Sequence, residues 1–195
     1  MGHNSKAMNK RVLLIGRNPT VLVQLAAALA TEGFAVTTTN HVDLASQEFN
    51  AMEFDLIAFG RGVDEKTNAE LKADFLAQNK AILLVDGLAP VIPLLAKQIQ
   101  LALAVRQPTE KMITHISAQV DDRLTIQVSL AAACQLTIDL YQLDAVHHTH
   151  QERLVTVFAD QGSHSFSVDR TPAGSTIDFL VAEAVDRELA VLPLR

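Results

Sequence analysis

Phe54-Asp55-Leu56-Ile57-Ala58-Phe59-Gly60 is apolar on alternate positions in both directions, so a strand formed from it has no wet face. Such a strand must be covered on both sides, which confines the chain to architectures with layers above and below a parallel sheet. Arg11-Val12-Leu13-Leu14-Ile15-Gly16 and Ala81-Ile82-Leu83-Leu84-Val85 repeat the pattern, and the β-branched Ala35-Val36-Thr37-Thr38-Thr39 reads as a further strand. The segments between them have helical spacing. Asn18 offers an N-cap and Pro19 suits the first helical turn, ahead of Leu22, Leu25, Ala26, Leu29 and Ala30, with Gly33 as the stop. Asn40 is positioned to cap a helix that turns Val42, Ala45 and Phe49 inward, and Thr67 with Glu70 forms a capping-box pair before Leu71, Phe75 and Leu76. Pro90 opens a last helix carrying Val91, Leu95, Ile99, Ala102 and Leu103 on one face, with Pro93 tolerated near its first turn.

Strand and helix thus alternate over residues 11 to 105, as in an open parallel sheet with right-handed crossovers, with Phe54–Gly60 as its central strand. Sheets of this kind take ligands at the carboxyl ends of their strands.

Over about residues 10 to 105 the chain resembles the receiver domains of bacterial response regulators. Val12-Leu13-Leu14-Ile15 is similar to their first strand, Phe54-Asp55-Leu56-Ile57-Ala58-Phe59 to their third, and Ala81-Ile82-Leu83-Leu84-Val85 to their fourth. The resemblance implies a flavodoxin-like sheet, truncated because a fifth strand with its lysine is not visible. It also implies a lost chemistry. Where the family has a metal-binding acidic pair this chain reads Gly16-Arg17-Asn18, the phosphoacceptor position is Gly60, and the switch Ser/Thr falls near Asp86. The expected behaviour is that of a pseudo-receiver, which acts through its surfaces and is not phosphorylated.

The residue types alone lead to the same expectation. Mg²⁺ sites need carboxylate oxygens and phosphoryl transfer needs an acceptor, whereas Arg17, Arg61 and Gly60 make these strand ends neutral to basic. Asp86 is the single acid there. Either Arg17, Asn18, Arg61 and the first helix's amino end form an anion-binding rim, or the arginines pair with Asp86. Gly60-Arg61-Gly62 lacks the glycine spacing of a dinucleotide fingerprint.

Near Gln107-Pro108-Thr109-Glu110 the period changes to twofold, which sets a boundary between a unit over 10–105 and another over 111–195, after a flexible leader over 1–9. Leu124, Ile126, Val128 and Leu130 alternate with polar residues, as do Leu136, Ile138 and Leu140 with Thr137, Asp139 and Tyr141, so each strand is expected to have one wet face. Further strands are expected at 112–119, 153–159, 163–169, 176–182 and 188–194, for an antiparallel β-sandwich of seven. Leu136 to Asp144, Gly162 to Val168 and Ala173-Gly174 resemble the immunoglobulin-like sandwich of flagellar hook-capping and secretion-sorting domains, although Ala145 stands where those usually have Gly. His147, His148 and His150 share an expected loop and could be weighed as metal ligands with His115 and His164, but no recognised ligand spacing is completed. A solvated hairpin accounts for them as well.

A net charge of −6 without a Lys/Arg-rich run provides no footprint for nucleic acid or acidic lipid, and no apolar run is long enough to span a bilayer. The polar amino terminus and the single cysteine, Cys134, fit a cytoplasmic protein. No cofactor is expected. The leading expectation is a non-catalytic signalling or scaffold protein of bacterial type that works through protein partners. The alternatives are a module binding a small anion or nucleotide at the strand ends, and a metal-dependent enzyme using the histidines. The last helix is expected to carry apolar residues outside its main stripe, Ile92, Leu94, Leu101 and Val105, as the interface of a homodimer.

Overall fold

The computed structural model describes residues 10–60, 62–87, 91–104, 111–143, 149–169, 177–185 and 187–194. The chain divides into two compact units, Met1–Arg106 and Gln107–Arg195.

The first unit is built on four parallel strands, β1 (Arg11–Ile15), β2 (Ala35–Thr39), β3 (Leu56–Phe59) and β4 (Leu83–Asp86), in the order β2-β1-β3-β4. The pleat sends alternate residues of each strand to opposite faces. Val12, Leu14, Leu56 and Ala58 meet α1 (Pro19–Thr31) and α4 (Ile92–Ala104) on one side. Leu13, Ile15, Ile57 and Phe59 meet α2 (Ala45–Glu48) and α3 (Glu65–Gln78) on the other. Asp55 fastens the amino ends of β1 and β3 together by accepting from the Arg11 N–H at 2.8 Å and from Lys10 Nζ at 2.6 Å.

Helix α1 begins and ends on local signals. The Asn18 side chain accepts from the N–H groups of Thr20 and Val21, and Pro19 occupies the first turn. At the other end the Gly33 N–H donates to Ala30 O and the Phe34 N–H to Leu29 O, a Schellman pair that requires a left-handed residue; Gly33, at φ 90°, supplies it. Two helix starts differ from expectation. Asp64, not Thr67, caps α3, accepting from the Thr67 N–H at 3.0 Å, so the helix starts at Glu65, about a turn earlier than expected. Asn40 caps nothing: the chain makes a 3₁₀ turn over Val42–Leu44, then the single-turn α2, and is extended again at Phe49. Pro90 lies outside the described residues.

Among the described residues the second unit contains seven antiparallel strands: β5 (Ile113–Val120), β6 (Leu124–Leu130), β7 (Cys134–Leu143), β8 (Thr149–Ala159), β9 (Gly162–Val168), β10 (Ile177–Ala184) and β11 (Glu188–Leu194). They form a four-stranded sheet, β11-β10-β7-β8, and a three-stranded sheet, β5-β6-β9. Inward residues of both, including Ile126, Val128, Leu136, Ile138, Leu180 and Ala182, share one core. The expectation of one wet face per strand fails at β7. Thr137, Asp139 and Tyr141 are all buried, although they alternate with the core residues as solvent-facing positions would. Asp139 is neutralised in place by Arg153 of β8, and Gln151 Nε2 donates to its other oxygen at 3.2 Å. Among the described residues no helix is long and apolar enough to cross a membrane.

Candidate functional site

The carboxyl ends of β1, β3 and β4 each run into a glycine. Gly16 donates to Thr39 O at 3.1 Å, Gly60 to Ile15 O at 2.8 Å and Gly87 to Phe59 O at 2.9 Å, so the parallel ladder continues one residue beyond the last strand positions. The register Ile15↔Phe59↔Asp86, extended by that residue, sets the three glycines side by side. Two positions earlier, on the same face, the row reads Leu14↔Ala58↔Val85. At its carboxyl end the central strand therefore presents only Ala58 and Gly60 toward α1 and α4.

A cavity of about 480 Å³ lies over these two rows. Leu22 and Leu25 of α1 form one wall, Leu95 and Ile99 of α4 the other, and Arg17, Asn18 and Gln98 bring the polar atoms. Its volume is within the range of small-molecule sites, and apolar walls with a few polar groups are their usual composition. It also lies where β1 is followed to one side by β2 and to the other by β3, the switch point at which open parallel sheets take ligands. Gly16 and Gly60 are not glycine for conformational reasons, since neither has a left-handed φ. A Cβ on Gly16 would come to 3.4 Å from Leu22 Cδ2, and one on Gly60 to 3.5 Å from Ile15 O, contacts an alanine could accept. What the missing side chains leave is space.

Of the expected rim residues, Arg17, Asn18 and Asp86 are described, and each is engaged by partners of its own. Arg17 Nε donates to Gly62 O at 3.1 Å and Nη2 to Asp64 Oδ2 at 3.3 Å, with Asp43 Oδ1 at 3.8 Å. Asp64 is held below the usual carboxylate range, first by the Thr67 backbone N–H and then by the Thr67 hydroxyl, and stays charged opposite Arg17. Asp86 belongs to the opposite face, in register with Phe59, where it accepts from Asn68 Nδ2 at 2.8 Å and pairs with Lys72 Nζ at 2.5 Å. Burial pushes its pKa up, but Asn68 and Lys72 outweigh that and leave it lowered. Arg17 and Asp86 do not pair with each other, because each has partners of its own. Asn18 spends its side-chain oxygen on Thr20 and Val21, its carbonyl accepts from Leu22, and Pro19 has no N–H, so the first turn of α1 offers no free backbone N–H. Arg61 lies outside the described residues.

The other predicted sites are also dispersed. His147 and His148 lie outside the described residues, and His150 is exposed on β8 opposite Gln142. His115 pairs across with Ser129 and His164 with Val128, which puts the two rings on opposite faces of one sheet. His164 Nε2 is 2.8 Å from Asp160 O and its ring stacks on Phe166. Among the described residues no three metal-binding side chains converge. The proposed interface on α4 is corrected at Leu94, which is 1% exposed within a single chain and so is no outward patch. Ile92 packs against the α1–α4 core, Leu101 is half-buried, and Val105 lies outside the described residues. The helix buries residues from more than its one expected stripe.

The cavity itself was missed by residue-by-residue reading, although a glycine directly after each of three parallel strands was its signal. No family model matches this chain, and no curated protein sequence matches it. Among solved structures it is similar to a β-glucosidase from Erythrobacter marinus, at 12% identity and a TM-score of 0.34 over 95% of this chain and 46% of that one. A GH3 β-glucosidase from Bifidobacterium adolescentis gives 13% identity and a TM-score of 0.33 over 96% and 49%. The chain spans about half the length of these enzymes, and likenesses this weak carry neither fold nor activity across.

Proposed function

We propose that this chain is a non-catalytic binding protein of signalling type. Its α/β unit, read as a truncated flavodoxin-like sheet of the receiver kind, holds a small molecule at the strand ends in place of a phosphoacceptor. Its second unit, read as an immunoglobulin-like sandwich, serves a protein partner. The order β2-β1-β3-β4 supports the first part, being the doubly wound order without its last strand. The observation that carries the proposal is the in-register row Gly16, Gly60 and Gly87 under a cavity of about 480 Å³. Catalysis is weighed against because the carboxylates described at this edge are engaged: Asp86 by Lys72 and Asn68 on the face away from the cavity, Asp43 and Asp64 by Arg17.

The test is a ¹⁵N-resolved NMR screen of the full chain against a mixed fragment library. Shift changes concentrated on the amides of Gly16, Gly60 and Gly87 are expected; changes confined to other surfaces sink the cavity as the site. A stoichiometric aspartyl phosphate, seen by intact mass after incubation with acetyl phosphate and Mg²⁺, refutes the non-catalytic part.

A further inference from the structure

We infer that the cavity at the strand ends takes a neutral, largely apolar, ring-bearing molecule and discriminates against phosphates, nucleotides and carboxylates. This rests on the cavity being the binding site and names what the site selects. The walls are the first reason. Leu22, Leu25, Leu95 and Ile99 face one another across a floor made by Leu14, Ala58 and Val85, so a ligand that fills the space trades water for hydrocarbon over most of its surface. At about 30 Å³ per water, the volume equals roughly sixteen waters, the scale of a one- or two-ring molecule.

The second reason is electrostatic. An anion buried here needs a cation or several N–H donors, because an unpaired charge taken out of water costs several kcal/mol. Among the described residues the cation that lines the cavity, Arg17, already faces two carboxylates and a carbonyl oxygen, so the described charges around it are net negative. The first-turn backbone N–H groups of α1 are taken by Asn18. An anion would have to break the cap and separate Arg17 from Asp64, whereas a neutral ring breaks neither.

The third reason is shape. Three adjacent glycines extend the sheet without side chains, and a peptide surface bare on one face is flat. Gly16 and Gly60 keep ordinary backbone angles, so that flatness reflects absent side chains and not a turn. A planar ring lies against such a surface with its full face in contact.

The experiment measures the binding of indole, benzoate, inorganic phosphate and adenosine monophosphate to the full chain by calorimetry and thermal shift. It also compares Ala58→Leu and Gly16→Val, which obstruct the cavity from different strands. Indole is expected to bind saturably and to weaken by about tenfold or more in both variants, the scale at which a methylene group is discriminated in an apolar pocket. The three anions are expected to bind the wild-type chain more weakly than indole. If Ala58→Leu does not fold, Gly16→Val decides alone, its added carbons lying against the flexible Leu22 side chain. Tighter binding of phosphate or adenosine monophosphate, lost in the variants, overturns the ligand class and leaves the cavity as the site. Indole binding unchanged in both variants, or no binding by any probe, overturns the inference and the cavity reading together.

Discussion

Replacing Ala58 with Leu is the most informative single change in the α/β unit, because its sign depends on whether the space above β3 is open. In a filled core, three added carbons force neighbours off their rotamers at a cost of about 1–3 kcal/mol. Here Ala58 is 7% exposed and stands at the centre of the row Leu14↔Ala58↔Val85, directly beneath the cavity. At about 0.8 kcal/mol per buried CH₂, the added carbons contribute at most about 2.4 kcal/mol, and fixing the leucine rotamer removes roughly 0.5–1 of that. Their volume, roughly 90 Å³ if each is water-sized, is well under the 480 Å³ available. The net expectation is a stabilisation of about 1–2 kcal/mol. Since two units need not unfold together, the measurement should be local: amide hydrogen exchange of Val12 to Ile15 and Leu56 to Phe59, which reports the opening of this sheet. A slowing of about tenfold corresponds to 1.4 kcal/mol. Unchanged or faster exchange refutes the reasoning, since it means that Leu14, Val85 and the helices leave no room.

Asn18→Ala removes the acceptor for two first-turn N–H groups and should cost about 1 kcal/mol, read by the same exchange measurement on α1; no loss would show that the cap is idle. Leu94→Glu puts a carboxylate where leucine is 1% exposed and should destabilise by several kcal/mol, so that circular dichroism shows lost or broadened unfolding. A well-folded Leu94→Glu chain would return that residue to the surface. Tyr141 is the single tyrosine and there is no tryptophan, so tyrosinate absorbance reads one group. Burial and then the Asp139 charge push its pKa up to about 12. The folded chain therefore holds this proton more tightly than the unfolded one, whose tyrosine titrates near 10; the stability it contributes is intact below about pH 10 and is lost as pH rises toward 12. A midpoint near 10 in the folded protein would show that the β7 face is wet.

What the sequence determined by itself is whatever nearest neighbours decide. The apolar runs of β1 and β3, the Asn18-Pro19 start of α1, its Leu22, Leu25 and Leu29 stripe and its Gly33 stop are all contained within a turn or two of chain, so period and capping chemistry suffice to read them. The same holds for the alternation of Leu124, Ile126, Val128 and Leu130 in β6. Partner choice is different. Arg17 meets Asp43 and Asp64, and Asp86 meets Asn68 and Lys72, because crossovers and register bring distant segments to one edge; charge counting along the chain could not tell which acid each cation would reach. Thr137, Asp139 and Tyr141 have the alternation of a wet face and are nonetheless buried, since alternation separates two faces without saying what covers either. The cavity is the clearest case. Each glycine after a strand reads singly as a missing acid or a turn, and only the lateral register of β1, β3 and β4 puts the three together, with Ala58 beside them, so that side chains absent from separate stretches become one space.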